Sequence, residues 1–207
     1  MDFSILEPYN VLYLTAITLA ILPDRVRVAL LDWLRRHQQK SGATIVFDSN
    51  YRPALWQCED TARKNVATAW QIADIALPSI DDEMSLFKDS EEDDVISRFY
   101  SYGIGRGVLK RGAAGPRALP ARSESSATAS ATSTNAIAQS ENRESSNKIL
   151  FTKVSAVDST AAGDSFNAGY LSIALKGGIE SDAMIAGHQC ASRVIQHPGA
   201  IVPLSEW

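Results

Sequence analysis

Ala156-Val-Asp-Ser-Thr-Ala-Ala-Gly-Asp-Ser-Phe-Asn-Ala-Gly-Tyr170 passes from an apolar approach into a turn of small residues, then into an apolar-periodic segment that runs to Gly177-Gly178. The change of pattern reads as a helix start, with Asp158, Ser159 or Thr160 as the source of the cap oxygen. Ala161, Ala162 and Gly163 carry almost no side chain, so an anionic group can approach the first free N–H groups of that helix. The helix dipole favours negative charge at the same spot. Asp164 lies in the first turn, where its carboxylate can accept a proton from a hydroxyl. An anion cradle beside a carboxylate suits phosphoryl transfer to an alcohol. The plainer reading stays open at this stage: an Asp in a first helical turn is also a good dipole partner, and small residues also serve close packing.

Working outward, strand and helix signals alternate, which predicts an α/β layer with mainly parallel strands. Leu12 to Leu19 reads as a buried first strand. Pro23-Asp24 opens a helix with Val26, Leu30, Leu31 and Leu34 on one face, closed by Gly42. Thr44 to Phe47 is a second strand, and a helix from about Asp60 to Trp70 follows it. A short strand spans Asp74 to Leu77, Pro78 to Glu83 starts another helix, and the acidic run Glu91 to Asp94 caps the next. Gly107 to Lys110 is the fourth strand. Three polar loops then follow strands on one side, at Asp48 to Pro53, Pro78 to Glu83 and Lys110 to Gly115. Ligands of open α/β sheets bind beyond the carboxyl ends of the strands, so these loops are the expected walls of a site.

Within Phe47-Asp-Ser-Asn-Tyr-Arg-Pro-Ala-Leu-Trp56, Arg52 sits in a loop fixed by Pro53, where a guanidinium can grip a carboxylate through two parallel hydrogen bonds. A surface arginine paired with Glu59 is the competing reading. Lys110-Arg-Gly-Ala-Ala-Gly115 is a glycine turn after a strand and lacks the order of a P-loop. Asp81, Asp82 and Glu83 are explained by charge complementarity at a helix N-terminus, with a metal site as the alternative. His37, His188 and His197 show no ligand spacing. Gly187 to Ser192 lies on a further helix.

These motifs resemble those of the ribokinase-like (PfkB) sugar kinases. Asp158 to Asp164 is similar to the family's Asp-Thr-x-Gly-Ala-Gly-Asp signature, with Ser159 in place of the usual Thr. Its Ala-Ala-Gly-Asp-Ser-Phe-Asn-Ala-Gly form, and the Asp-x-Asn-x-Arg-x-x-Leu-Trp pattern of residues 48–56, resemble the branch that acts on 2-keto-3-deoxygluconate. The resemblance implies a ribokinase-like layered fold and ATP-dependent phosphorylation of a sugar-acid hydroxyl. It implies Asp164 as the base, and the backbone of Ala161, Ala162 and Gly163 as the anion hole. It places Arg52, with Asp164, at the sugar acid. It places Asn50, Lys110, Gly112 and Gly115, with Ala161 and Gly163, along ATP, and the Gly187-to-Ser192 helix near the adenine. Mg2+ is expected with ATP, and Glu83 is the candidate ligand, Ser79 standing where the family has Asn.

The resemblance also implies a longer protein whose N-terminal part holds the first strands, a small β lid and a Gly-Gly sugar-binding motif. No glycine pair precedes Gly177. Residues 1–207 are thus expected to be the C-terminal part of such a domain, truncated at the N-terminus and without its lid. The alternative is a non-catalytic remnant that binds nucleotide or a partner.

Composition sets the outer bounds. The chain has 207 residues, 45% hydrophobic and 21% charged, enough for a core of ordinary domain size. Its net charge of −4 gives no electrostatic reason to expect nucleic acid. Val11 to Leu22 is too short to span a membrane, so a cytoplasmic protein is expected, with a homo-oligomer left open. Cys58 and Cys190 fit no zinc spacing and read as free thiols, a single disulfide being the alternative. Residues 118–148 are rich in Ser, Ala, Thr and Asn without an apolar period, which predicts a disordered loop with Arg117–Leu119 and Ile149–Phe151 able to pair at its edges.

Overall fold

A computed structural model describes residues 1–120, 151 and 153–203. Most of the low-complexity segment, and Ile149 and Leu150 at its end, lie outside them.

The first strand, β1 (Val11–Thr15), is shorter than the apolar run suggests, because the chain turns into a helix, α1 (Ala16–Ile21). Thr15 causes the turn. Its backbone is extended, its hydroxyl accepts from the Thr18 N–H, and the Thr18 hydroxyl accepts from the Thr15 N–H in return. Such a reciprocal cap satisfies two donors that continued strand would have placed elsewhere. The chain continues through α2 (Asp24–Ser41), β2 (Thr44–Asp48), α3 (Glu59–Trp70), β3 (Ile75–Leu77), α4 (Ile80–Phe87) and α5 (Glu92–Tyr102). It then forms β4 (Arg106–Leu109), β5 (Arg117–Ala118), α6 (Ala162–Ala174) and α7 (Glu180–Val194). Gly42 ends α2 in the left-handed conformation, φ 73°, as its position after the last apolar residue suggests.

Among the described residues the sheet runs β1-β2-β3-β4-β5, with the first four strands parallel and β5 antiparallel to β4. Arg117–Leu119 therefore turns back on β4, with Leu109 opposite Arg117 and Val108 opposite Ala118.

Alternation along the strands divides the interior into two cores. Leu12, Leu14, Ile45, Phe47, Ala76 and Leu109 face a cluster built with α1, α2, α3 and α5, whose centre is Trp70 packed edge-on to Phe47 and Phe99. Val46, Ile75, Leu77 and Val108 point the other way, against Phe166, Tyr170 and Ala174 of α6 and Ala183 of α7. Strands covered on both faces need continuous apolar sequence, which is why these segments carry it. On the α6–α7 side of β1, Val11 and Tyr13 are partly open to solvent.

The second core depends on a close approach between α6 and α7. A Cβ on Gly169 would lie 2.4 Å from the Ala186 carbonyl oxygen, and one on Gly187 would lie 2.9 Å from the Phe166 carbonyl oxygen. Arg106 pins the far end of the pair. It donates to Glu180 (2.6 Å) and to the Gly178 (2.8 Å) and Ala174 (3.1 Å) carbonyls, while the Tyr170 hydroxyl donates to the other Glu180 oxygen (2.7 Å). Gly169→Ala is expected to lower the unfolding free energy by about 1–3 kcal/mol, the usual effect of overpacking. Ala168→Ser on the exposed face should stay within about 0.5 kcal/mol. Urea midpoints of the two variants check this, and an unchanged midpoint for Gly169→Ala would show that α7 can retreat without loss.

Candidate active site

The three polar loops and the start of α6 converge at the carboxyl ends of the parallel strands, around a cavity of about 550 Å³. Ser49 and Asp82 stitch two of these loops together. The Ser49 hydroxyl donates to Asp82 (3.1 Å) and accepts from the Ser79 N–H (2.8 Å), and the Tyr51 N–H donates to the same Asp82 oxygen (3.2 Å). Burial raises the Asp82 carboxyl pKa, and these hydrogen bonds act against the rise. Asn50 turns the first loop with φ 28°, in the left-handed region that asparagine tolerates better than most residues.

Arg52 lines the cavity with its side chain 56% exposed. It donates to its neighbour's carbonyl at Tyr51 (2.9 Å) and stands 4.0 Å from Asp82. The competing partner is engaged elsewhere, since Glu59 pairs with Arg63 and Lys88. Arg52 is therefore held loosely at the rim, with most of its guanidinium free of strong partners among the described residues.

The helix start differs from the expectation in one respect. Among the described residues no side chain caps α6; its N-cap residue is Ala161, left-handed at φ 61°. The Asp158 carboxylate is turned to the Thr160 and Gly199 N–H groups, both at 2.8 Å, and the Thr160 bond, the larger cause, helps hold its pKa low. The Ala162 N–H bonds to Ser159, and Ser165 is the first residue to bond back along the helix, to Ala161. The N–H groups of Gly163 and Asp164 lie between, beside the cavity that both residues line. An uncapped start suits an anion better than a capped one, because no protein oxygen occupies the donors.

Lys110 enters this floor from the end of β4. Its ammonium donates to Asp48 (2.8 Å) and Asn167 (3.1 Å), and a Cβ on Gly163 would be 3.8 Å from it. Asn167 in turn donates to the second Asp48 oxygen (2.9 Å) and to the Tyr13 hydroxyl (3.2 Å). Asp48 and Asn167 are each almost wholly buried, so the lysine is anchored in the protein and not in solvent. Burial, and then the Asp48 charge, push the Tyr13 hydroxyl to a higher pKa.

The remaining candidates divide. Gly112, φ 53°, opens a 3-10 turn and lines the cavity. Gly115, φ 77°, instead makes room for Phe151, whose ring carbon would stand 2.8 Å from a Cβ there. His188, Ala191 and Ser192 of α7 form part of the wall. Glu83 does not belong to the site. Its side chain is 1% exposed and points into the other core, accepting from Trp70 (3.2 Å) and Arg98 (2.8 Å). Burial pushes its carboxyl up to about 7 against the pull of Arg98. Successive residues of a helix diverge by about 100°, so Asp81 and Asp82 share the cavity side while Glu83, about 200° on from Asp81, is turned away from it. Counting three residues on from Ser79 also reaches Asp82. Both thiols, Cys58 and Cys190, are free.

Sequence reasoning missed Tyr13 and Asn167. Asn167 had a signal: it lies three residues after Asp164 and four after Gly163, the spacing of one helix face. Tyr13 had none beyond its place in a strand.

A model of the pfkB family of carbohydrate kinases matches residues 1–207. The chain is 39% identical over 199 residues to a 2-dehydro-3-deoxygluconokinase of Dickeya dadantii and 36% identical over 198 residues to one of Escherichia coli K12. In each case 96% of this chain is covered and 58% of the relative, so the chain spans a little over half the length of these relatives. Its fold is like that of a Salmonella enterica aminoimidazole riboside kinase solved with aminoimidazole riboside and an ATP analogue, at TM-score 0.70 and 22% identity over 93% of this chain and 58% of the other. It is also like a putative ribokinase II from E. coli in complex with ATP and Mg2+, at TM-score 0.68 and 19% identity over 97% and 56%. Sequence and fold comparisons thus run along nearly the whole chain and agree: it belongs to the pfkB family of carbohydrate kinases.

Proposed function

We propose that this chain supplies the catalytic half of an ATP-dependent sugar-acid kinase, and that its substrate is 2-keto-3-deoxygluconate, phosphorylated at the 6-hydroxyl. The observation that carries the reading is the uncapped start of α6, where free N–H groups, the Lys110 ammonium and the Asp164 carboxylate share one cavity. The names of the relatives supply the sugar acid.

The chemistry follows from these groups. Asp164 takes the proton of the acceptor hydroxyl as its oxygen bonds to the γ-phosphorus and the bond from that phosphorus to the β,γ-bridging oxygen breaks, leaving ADP. The N–H groups of Gly163 and Asp164 and the helix dipole stabilise charge on the transferring phosphoryl oxygens, the Ala162 N–H being taken by the Ser159 carbonyl. Asn50, Lys110 and Gly112 form the nucleotide side of the pocket, with Gly115 fixing the turn behind it, and Arg52 holds the substrate carboxylate at the rim. Tight α6–α7 packing holds the helix start still, and positioning of this kind contributes about 7–11 kcal/mol in favourable cases.

The residues present fit a nucleotide triphosphate, since cationic and N–H donors converge on the cavity. Among the described residues no group of three or more His, Cys, Asp or Glu side chains can hold a metal ion. Mg2+ would be held by the phosphates with one or two carboxylates, as is usual for it, and Asp81 and Asp82 are among the carboxylates that line the cavity. When bound, it would neutralise charge on the triphosphate.

In the complete enzyme that this half serves, Asp164→Asn is expected to leave the ATP dissociation constant within about threefold while lowering kcat by about 10²–10⁴, the range for loss of a general base. Calorimetry and a coupled ADP assay check the two halves, and unchanged turnover would sink the assignment. Arg52→Ala should raise KM for 2-keto-3-deoxygluconate by about tenfold or more, the size of a charge-assisted contact, with KM for ATP little changed. Faster phosphorylation of neutral ribose or fructose than of the acid, side by side, would overturn the substrate reading.

A further inference from the structure

We infer that Asn167 is the positioning residue of the phosphate floor: it orients the Lys110 ammonium beside Gly163 so that this lysine contacts the γ-phosphate of ATP. The inference rests on the proposed kinase reading and adds to it a role for Asn167 and the part of the nucleotide that Lys110 touches.

The amide orientation of Asn167 is fixed by its neighbours. Lysine can only donate, so the Asn167 oxygen must face Lys110; an ionised Asp48 can only accept, so the Asn167 nitrogen must face Asp48. The Asp48 oxygens are divided in the same way, one to Lys110 and the other to Asn167 and the Tyr13 hydroxyl. The ammonium has three protons, of which Asp48 and Asn167 engage two among the described residues. Lys110 also lines the cavity, next to the start of α6. One carboxylate and one neutral amide leave the ammonium a donor for a phosphate oxygen. A second carboxylate in place of the amide would overneutralise it. Gly163 and Asn167 stand one turn apart on α6, so the same helix that offers the N–H groups also sets the lysine.

The test compares ATP with ADP, since only the γ-phosphate distinguishes them. Calorimetric titration of the full chain with each nucleotide and Mg2+ is done for wild type, Lys110→Met, Asn167→Ala and the double variant, with thermal melts to establish folding. Wild type is expected to bind ATP about tenfold more tightly than ADP, as one charge-assisted contact supplies. Each single variant should lower the ratio by about threefold or more, leaving what the α6 N–H groups contribute, and the double variant should lower it no further, because the amide acts through the lysine. If Asn167→Ala does not fold, Asn167→Asp is read in its place and should lower the ratio by crowding the ammonium with two carboxylates. A wild-type ratio of one, a wild-type ratio retained in the Asn167 variant, or equal weakening of ATP and ADP would each overturn the inference. Failure of wild type to bind either nucleotide would instead remove the kinase reading itself, and this inference with it.

Discussion

The ion pair between Lys110 and Asp48 holds together what the rest of the site requires. Its two residues stand at the ends of β4 and β2, two strands apart in the sheet, and Asn167 joins them to α6 while Tyr13 adds β1. A charge pair this deep repays its desolvation only when the remaining donors and acceptors are also engaged, and here the asparagine and the tyrosine engage them. Removing Lys110 would strand the buried Asp48 carboxylate, at a cost of about 3–5 kcal/mol. The same bonds fix how α6 sits over the strand ends, and so where its free N–H groups lie.

Sheet alternation explains why such a polar knot can form at the end of an otherwise apolar structure. Ile45 and Phe47 go to one core and Val46 to the other; Asp48 comes next, at the last residue of the strand, where the sheet meets the cavity. Strand β4 repeats the arrangement, Val108 and Leu109 facing opposite cores before Lys110. The polar residue is placed at the first position beyond the apolar run, where it can reach a partner.

A second buried charge shows how closely structural and site-forming carboxylates can lie. Glu83 is enclosed with Arg98, which stacks on Phe87 at 3.8 Å and also pairs with Asp89. Asp82, one residue earlier, ties Ser49 and Tyr51 to the cavity wall. Both acids occupy the first turn of α4, and both suit its dipole. Their roles separate only because a helix turns its successive side chains to different sides.

Periodicity, caps and glycine turns in the sequence determined the alternating α/β order, the stop of α2 at Gly42, the three strand-end loops and the small-residue start of α6. These are local features, set by backbone conformation and by which face of each element is apolar. The end of β1 at Thr15 was also local, but it is written in a Thr-x-x-Thr cap inside an apolar run that reads equally well as strand. The tertiary structure alone decided that Asp158 turns away from the helix, that Asp82 and not Glu83 faces the cavity, and that Gly115 packs on Phe151. It alone brought Tyr13, Asp48, Lys110 and Asn167 together from positions up to 154 residues apart. Spacing along a chain fixes the neighbours of a residue within a turn or a strand. The partner that satisfies a buried charge is chosen by which elements the two hydrophobic cores press together.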